Sequence, residues 1–562
     1  MLFVILSWIA VFLLAFPFGH VFVKFVAPNA YKNSSKIDIY IVCGLMMLNV
    51  YAQIYSLFAG VGRWAFLGIA FVAIVWYILE SKRLARKALL FFGSIKWWKW
   101  CACIIVITIV GLWTLVSPNF VDTYLYHAQA IRWIEEYGVV PGLGNLHNRF
   151  AYNSAFMLLQ ALLNFSWVYE PSMHSLNGFC ASFFVVYSIV TNKLFLLGER
   201  RLSDLLKLVI PLYVYWNRRT VSSPSSDILA MLLVIYIYVK WFEIIENEET
   251  DIQASSVICL IAVWAISIKL STAVIVLLVL YPAAVLIKDK KWKSIIEDII
   301  CGIMILLPWL IRNVIISGYL IYPYTIIDFF NVDWKMPKSL VDYDRKEIIV
   351  WGRGIKDVSR YDESIGQWIG TWFSSQMTRD KLFILAGVIA VGILIIFLVI
   401  NIIGKLKNKK EYKGIFMKPQ ELMMIASAII CLFFWFCSAP LVRYGMVYLF
   451  VPVALDAHIV REYLGEERFI KIVIIAMAIF GCVFYLYKNE DFRLVEPQGY
   501  WRMDNPKRNW YGWEVYVHED ADSEPLTDYA DFPGIHRESI LEEIVPRGNM
   551  LKDGFRSSNG SS

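Results

Sequence analysis

Long apolar runs separated by short charged stretches dominate this chain from its first residues. A helix that crosses a bilayer takes about 20 apolar residues, with a lower limit of ~17. By that ruler the runs 3–22, 38–59, 63–79, 101–116, 174–196, 204–216, 227–243, 254–268, 271–287, 295–311, 382–403, 420–437, 444–460 and 470–487 predict fourteen membrane-spanning helices. Several are short enough to be half-helices inside a bundle. One more apolar stretch, 153–168, predicts an interfacial or re-entrant helix, because counting it as a crossing breaks the charge pattern.

That charge pattern orients the bundle. Basic clusters stand at Lys82, Arg83, Arg86, Lys87, Lys96 and Lys99, at Arg200 and Arg201, at Lys288, Lys290, Lys291 and Lys293, and from Lys405 to Lys418. With fourteen crossings all four fall on one side, the cytoplasmic one by the positive-inside rule. Both termini and three long segments, 117–173, 312–381 and 488–562, then lie outside. The acidic loop 244–253 is a local exception on the inner side. The division that follows is an N-terminal three-span extension with a basic cytoplasmic loop (1–100), a transmembrane core (101–487) and an extracytoplasmic tail (488–562). In the tail, Trp513-Glu-Val-Tyr-Val-His518 alternates like a strand, and Ser557-Ser-Asn-Gly-Ser-Ser562 reads as disordered.

Composition agrees with an all-α integral membrane protein. Of 562 residues 58% are hydrophobic and 18% charged, against about 25% charged in soluble domains, and mean hydropathy is +0.56. A cytosolic enzyme, a disordered scaffold and a disulfide-knotted secreted domain are excluded. The net charge of +6 resides in the loop clusters and marks no nucleic-acid partner. Nine cysteines lie almost wholly within apolar runs and form no C-x-x-C pair, as small apolar residues in helices do. The N-terminus lacks a basic n-region and a small-x-small cleavage site, so it reads as an uncut first span.

Ionisable residues near membrane depth are functional candidates, and here they gather where spans meet the outer face: Asp122, His127, Asp227, Lys269, Arg312 and Arg443. Asp122 follows a span directly and opens a helical stretch to about Tyr137, with Leu125, Ala128, Ile131 and Ile134 at helical spacing. Such a helix lies along the interface with its tryptophan and tyrosines at headgroup level. Asp122 suits capping of that helix and equally a catalytic carboxylate; Leu125 three residues on leaves no capping box. Lys269, Arg312 and Arg443 each open or close a span. They suit a phosphate, which an arginine fork matches and a lysine attracts, or else snorkelling and carboxylate pairing. Asp227 follows the Ser222-Ser-Pro-Ser-Ser turn and suits capping, or orienting an acceptor or an arginine. His127, His147, Asn148, Arg149 and Asn313 are further candidates for polar ligand contacts. The chain holds no H-E-x-x-H and no D-x-D in the first outer loop, so neither a metal nor another cofactor is expected.

Together these features resemble the GT-C superfamily, multi-spanning glycosyltransferases that use polyprenyl-phosphate-linked sugars. Asp122 matches the acidic residue of that family's first large outer loop. Pro308-Trp-Leu-Ile-Arg-Asn313 with Gly318 and Tyr322-Pro323 looks like its junction between a span and the next outer loop. The resemblance covers about 101–487; the chain is also similar to bacterial membrane proteins associated with surface polysaccharides. It implies a GT-C-like multi-span bundle in the plasma (inner) membrane, with the site facing the periplasm or exterior. Arg312, Arg443 and Lys269 would hold the donor phosphate, while Asp122 deprotonates a hydroxyl on a glycan, lipid or protein acceptor, with inversion. A polysaccharide polymerase or ligase, a transporter or flippase of lipid-linked sugars, and a non-catalytic envelope partner are the alternatives.

Overall fold

The computed structural model describes residues 1–31, 36–169, 172–194, 201–407, 418–465, 468–469, 498–518 and 526–558. Four long helices come first: α1 (Leu2–Val26), α2 (Ile37–Ser56), α3 (Arg63–Ser94) and α4 (Trp97–Thr114). The first outer segment folds into short helices α5 (Ala128–Tyr137), α6 (Leu143–Leu146) and α7 (Ala155–Leu162). The central bundle follows as α8 (Leu176–Thr191), α9 (Leu202–Trp216), α10 (Ser226–Glu246) and α11 (Gln253–Ile268). A 3-10 stretch (Leu270–Val279) then runs into α12 (Leu280–Lys288), and α13 (Trp292–Ser317) completes this part. A second outer segment holds α14 (Lys338–Gly352) and α15 (Ile365–Ser375), before α16 (Thr378–Lys407), α17 (Pro419–Ser438) and α18 (Val442–Leu464).

Among the described residues nine helical stretches are long and apolar enough to cross a membrane: α1, α2, Arg63–Glu80, α4, α10, Leu270–Lys288, α13, Thr378–Gly404 and α17. The protein is a predominantly helical membrane protein. Helices α8 and α11 are apolar but only 16 residues long, and α18 carries Asp456 and Arg461 within its length. The run 470–487 lies outside the described residues. On α16, Leu385, Ile389, Ile393, Ile396, Ile400 and Ile403 recur every three or four residues and are all exposed, the stripe a lipid-facing helix presents.

One hydrophobic core runs from Val4 to Ile459, with α10 at its centre, where every residue from Ile228 to Val239 is buried. The N-terminal helices belong to this core. Trp8 Nε1 donates to the Ser175 carbonyl (3.0 Å), Asn49 Nδ2 to that of Ala155 (2.6 Å), and Trp264 Nε1 to Asn49 Oδ1 (2.8 Å). Polar groups concentrate at the two ends of the bundle. At the end bearing the basic loops, Lys240 Nζ pairs with Asp38 (2.9 Å) and Glu243 (2.6 Å), and Lys207 Nζ with Asp204 (2.9 Å) and Glu243 (2.8 Å). All five side chains are buried, and buried charges persist only when paired this closely.

Over the other end lies the tail. Its strand β1 (Lys507–Trp510) pairs antiparallel with β2 (Trp513–Val517), which runs parallel to β3 (Gly534–Ile535). Strand β4 (Ile544–Pro546) pairs antiparallel with β5 (Phe555–Ser557). The alternation at 513–518 is therefore a strand. Ser557, expected in a disordered terminus, instead closes β5, and 559–562 lie outside the described residues. Gln129 fastens the tail to α5: its Nε2 donates to the carbonyls of Asp528 (2.6 Å) and Asp531 (2.8 Å), and its Oε1 accepts from Gly534 N–H (2.9 Å). Gly554 has φ +94°, and a Cβ there would stand 2.1 Å from the Pro141 carbonyl oxygen.

Two expectations are corrected by this arrangement. Trp133 does not sit at headgroup level; it is fully buried against Phe532 and Phe555, because the tail covers α5. The 153–168 stretch, expected as an interfacial or re-entrant helix, is shorter and lies inside the protein. It is α7, with every residue buried, because Asn49 takes its first carbonyl and α2, α5 and α11 enclose it.

Candidate functional site

Asp122 sits between α4 and a π-helical turn, Thr123–His127, which runs straight into α5. A turn of this kind is uncommon and clusters at functional sites. The tail holds it in place. The Tyr124 carbonyl accepts from Thr527 N–H (2.8 Å), while its hydroxyl donates to Pro118 (2.8 Å) and accepts from Trp501 N–H (3.0 Å). The Asp122 carboxylate makes no capping bond. It faces Arg443 Nη2 at 3.0 Å and Arg149 Nη1 at 3.8 Å. Asp227 does not cap α10 either, since Ser225 Oγ accepts the Asp227 N–H (3.3 Å) in that role. Its carboxylate pairs with Lys269 and lies 3.6 Å from Arg443 Nε.

These contacts form a ribbon of alternating charge: Lys269, Asp227, Arg443, Asp122, Arg149 and Glu347, the last 3.8 Å from Arg149 Nη2. Three cations and three anions leave it neutral. Lys269 also stands 3.5 Å above the Tyr444 ring, whose hydroxyl accepts from Arg443 Nη2 (3.0 Å).

Arg312 is different. It comes from the last turns of α13, is 2% exposed, and bonds only neutral groups: Nε donates to Asn153 Oδ1 (3.0 Å) and Nη1 to Ser56 Oγ (2.6 Å). Among the described residues no carboxylate is paired with it. Asn153 is aimed by Trp309, which accepts its Nδ2–H at the carbonyl (3.2 Å), and by Asn313 Oδ1 (2.8 Å). Such a buried, uncompensated guanidinium is unfavourable unless an anion joins it.

A cavity of about 620 Å³ unites these groups, lined by Asp122, Arg149, Lys269, Arg312 and Arg443 together with Glu347, Trp351 and the tyrosines 126, 152, 322 and 444. Five residues singled out from the sequence therefore share one chamber, and Asp227 contacts two of them. Four others do not line it. His127 is buried beside the ribbon, where loss of solvent pulls its pKa down to about 4 despite the neighbouring Asp122 and Asp227. His147 stacks on His536 (ring centroids 4.0 Å) and donates from Nε2 to Leu125 O (3.2 Å), and burial pulls it to about 3. Asn148 donates to Asp344 (2.7 Å), and Asn313 donates to the Leu320 carbonyl (2.9 Å). These four stand behind the cavity lining, held by those contacts.

Sequence reasoning missed Ser56, Asn153, Asp344, Glu347 and Trp351. Asp344 is fully buried and accepts from Tyr322 (2.9 Å) and Tyr152 (3.2 Å), fixing both rings in the cavity wall. Burial raises its pKa to about 6 against the pull of those donors and of Arg149. Glu347 and Trp351, four apart on α14, carried an amphipathic signal within a loop that the apolar runs left unread. Among the described residues no group of three or more His, Cys, Asp or Glu is placed to hold a metal.

The fold and chamber define a predominantly helical membrane protein with an ionic cavity at one end of its bundle. Residues 1–450 match the family described as a domain of unknown function, DUF8201, and the chain belongs to that family. No curated protein and no solved structure matches it.

Proposed function

We propose that this protein is a membrane glycosyltransferase that moves a sugar from a polyprenyl-phosphate donor to an extracytoplasmic glycan, lipid or protein acceptor. It works as a GT-C-like bundle of fourteen spans in the plasma membrane, with the cavity on the outer face. One observation carries the reading: Arg312, a buried cation without an acid partner among the described residues, opens into the same chamber as Asp122. An anionic group completes Arg312, and a phosphate linked to a sugar brings the reacting carbon with it.

In the reaction, the acceptor hydroxyl gives its proton to Asp122 as its oxygen bonds the anomeric carbon. The bond from that carbon to the phosphate oxygen breaks, and its electron pair leaves on the lipid phosphate, which gains negative charge. Arg312 stabilises that growing charge, with Arg443 and Lys269 in reserve once they shift from their carboxylates. A single displacement inverts the anomeric configuration.

Support against transport comes from α10. It carries Asp227 at the cavity and Lys240 and Glu243 at the far end, yet every residue between Ile228 and Val239 is buried and nearly all are apolar. A carrier places its site near the bilayer midplane, and on this helix the charged groups stand at the two ends alone. The test is incubation of purified protein with a panel of polyprenyl-phosphate sugars, reading discharge of each carrier. Asp122→Asn is expected to fold normally and to lower discharge 10²–10⁴-fold, the range for loss of a general base. Wild-type discharge by that variant removes Asp122 from the role, and no discharge of any carrier by the wild type removes the reading.

A further inference from the structure

We propose that the α14 wall of the cavity, formed by Trp351, Glu347 and Arg149, is a binding subsite for an uncharged sugar ring. The proposal rests on the transferase reading only for why a sugar comes there. Glu347 and Trp351 stand four residues apart on α14, hence on one face, and both line the cavity. Trp351 is 45% exposed and lines the cavity, so part of a large aromatic surface is free to meet a ligand. The Arg149 guanidinium lies 5.9 Å from its ring centroid.

The polar groups around it are underused. Arg149 Nη1 and Nη2 stand 3.8 Å from Asp122 and from Glu347, beyond the ~2.7–3.2 Å of a hydrogen bond. Those separations leave the acceptor–donor–acceptor series Glu347, Arg149, Asp122 open to hydroxyls that bridge neighbouring members from the cavity side. Adjacent sugar hydroxyls each donate and accept, so they match such a series, while the C–H face of the ring covers the indole. An anion is repelled by the two carboxylates, and a cation by Arg149. A flat apolar ligand leaves Arg149 and Glu347 without a close partner at the cavity face. An uncharged polyol with one apolar face fits.

The subsite also lies where the reaction needs a ring. Arg149 lies within the 3-10 turn Asn148–Tyr152, and Asn153, the residue that holds Arg312, follows its end; at ~2 Å per residue they are about 8 Å apart. A ring against Trp351 thus sits beside Asp122 and within reach of an anion at Arg312. It belongs either to the donor or to the acceptor, and the probes separate the two.

The experiment is saturation-transfer NMR on the full chain in lipid nanodiscs. One probe set is sugar 1-phosphates, for the donor head. The other is neutral hexose and N-acetylhexosamine oligosaccharides, for the acceptor. Wild type is expected to saturate ring C–H protons of at least one probe. Trp351→Ala is expected to bind it about tenfold more weakly and Trp351→Phe to retain most affinity, the difference an aromatic face contributes. Arg312→Gln is expected to weaken the sugar phosphates alone. Preference for phosphates assigns the ring to the donor, and preference for neutral oligosaccharides to the acceptor. No saturation of any probe by wild type, or equal saturation by Trp351→Ala, overturns the subsite. Saturation without discharge of any polyprenyl-phosphate sugar overturns the transferase reading and leaves the subsite standing.

Discussion

Replacing Arg312 with methionine separates a ligand-holding cation from a structural one. The substitution removes two charge-assisted hydrogen bonds, to Asn153 Oδ1 and to Ser56 Oγ, together about 3–6 kcal/mol. Ser56 Oγ keeps its bond to the Gln53 carbonyl (2.6 Å), so only Asn153 Oδ1 is left facing the cavity. Against this loss stands relief of the effective penalty for burying an unpaired ion, several kcal/mol, plus about 1.5–3 kcal/mol for a buried apolar side chain of similar length. The terms nearly cancel. Arg312→Met is expected to unfold within a few degrees of wild type in the absence of ligand.

Lys240→Met supplies the contrast. It strips the partner from buried Asp38 and from one oxygen of Glu243, a loss of about 3–5 kcal/mol. Differential scanning fluorimetry of both variants, with and without a polyprenyl phosphate, is the assay. At a hundredfold excess over Kd the lipid stabilises wild type by about 2.7 kcal/mol, and the Arg312 variant is expected to show none of that shift. If Arg312→Met instead falls as far as Lys240→Met and keeps the lipid shift, the guanidinium is a structural tie and the site assignment is refuted.

Other outcomes follow from the same geometry. Gly554→Ala is expected to release the tail, because its backbone is left-handed and a Cβ strikes Pro141; limited proteolysis after 498 reads the release. His127 and His147 are held near about 4 and about 3, below the ordinary 6.5. The unfolded chain therefore binds more protons below pH 6.5, and their contribution is complete above that pH and lost as pH falls toward 4. Melting curves from pH 7.5 to 4.5 are expected to drop, and less so for His147→Gln. Asp344, raised to about 6 from 3.8, has the opposite sign: its contribution is present below 3.8 and lost as pH rises through 6. Asp344→Asn is expected to steepen the acid decline.

The bundle was legible because lipid imposes a coarse code: apolar length, and basic residues sorted to one end. The residues that converge were legible for the same reason, since Asp122, Lys269, Arg312 and Arg443 are ionisable groups at span ends, where charge needs a reason. Their pairing was not. The three cations read alike along the chain, yet Asp227 occupies Lys269, and Asp122 shares Arg443 with Asp227. The capping roles written for both acids fell to Ser225 in one case and to no side chain in the other, because cations within reach outbid a backbone N–H for a carboxylate. Glu347 and Trp351 stayed hidden because an outer loop carries no hydropathy code that marks which helix face lines a chamber.

That sorting of cations bears on mechanism. The ribbon from Lys269 to Glu347 sums to zero, so the surplus positive charge of the chamber comes from Arg312, with Arg345 at its edge 4.0 Å from Asp342. A phosphodiester brings one negative charge and needs one cation to receive it. On bond cleavage its leaving group becomes doubly charged, and the ribbon's arginines stand at hand, each held by carboxylates at distances from 3.0 to 3.8 Å. In the proposed transfer, recruiting Arg443 toward the phosphate would loosen its grip on Asp122 at the moment that carboxylate takes up the acceptor proton. On the proposed function, charge would move along the ribbon in the same direction as the reaction, and the neutral ground state would keep those arginines from binding the donor at the expense of its departure.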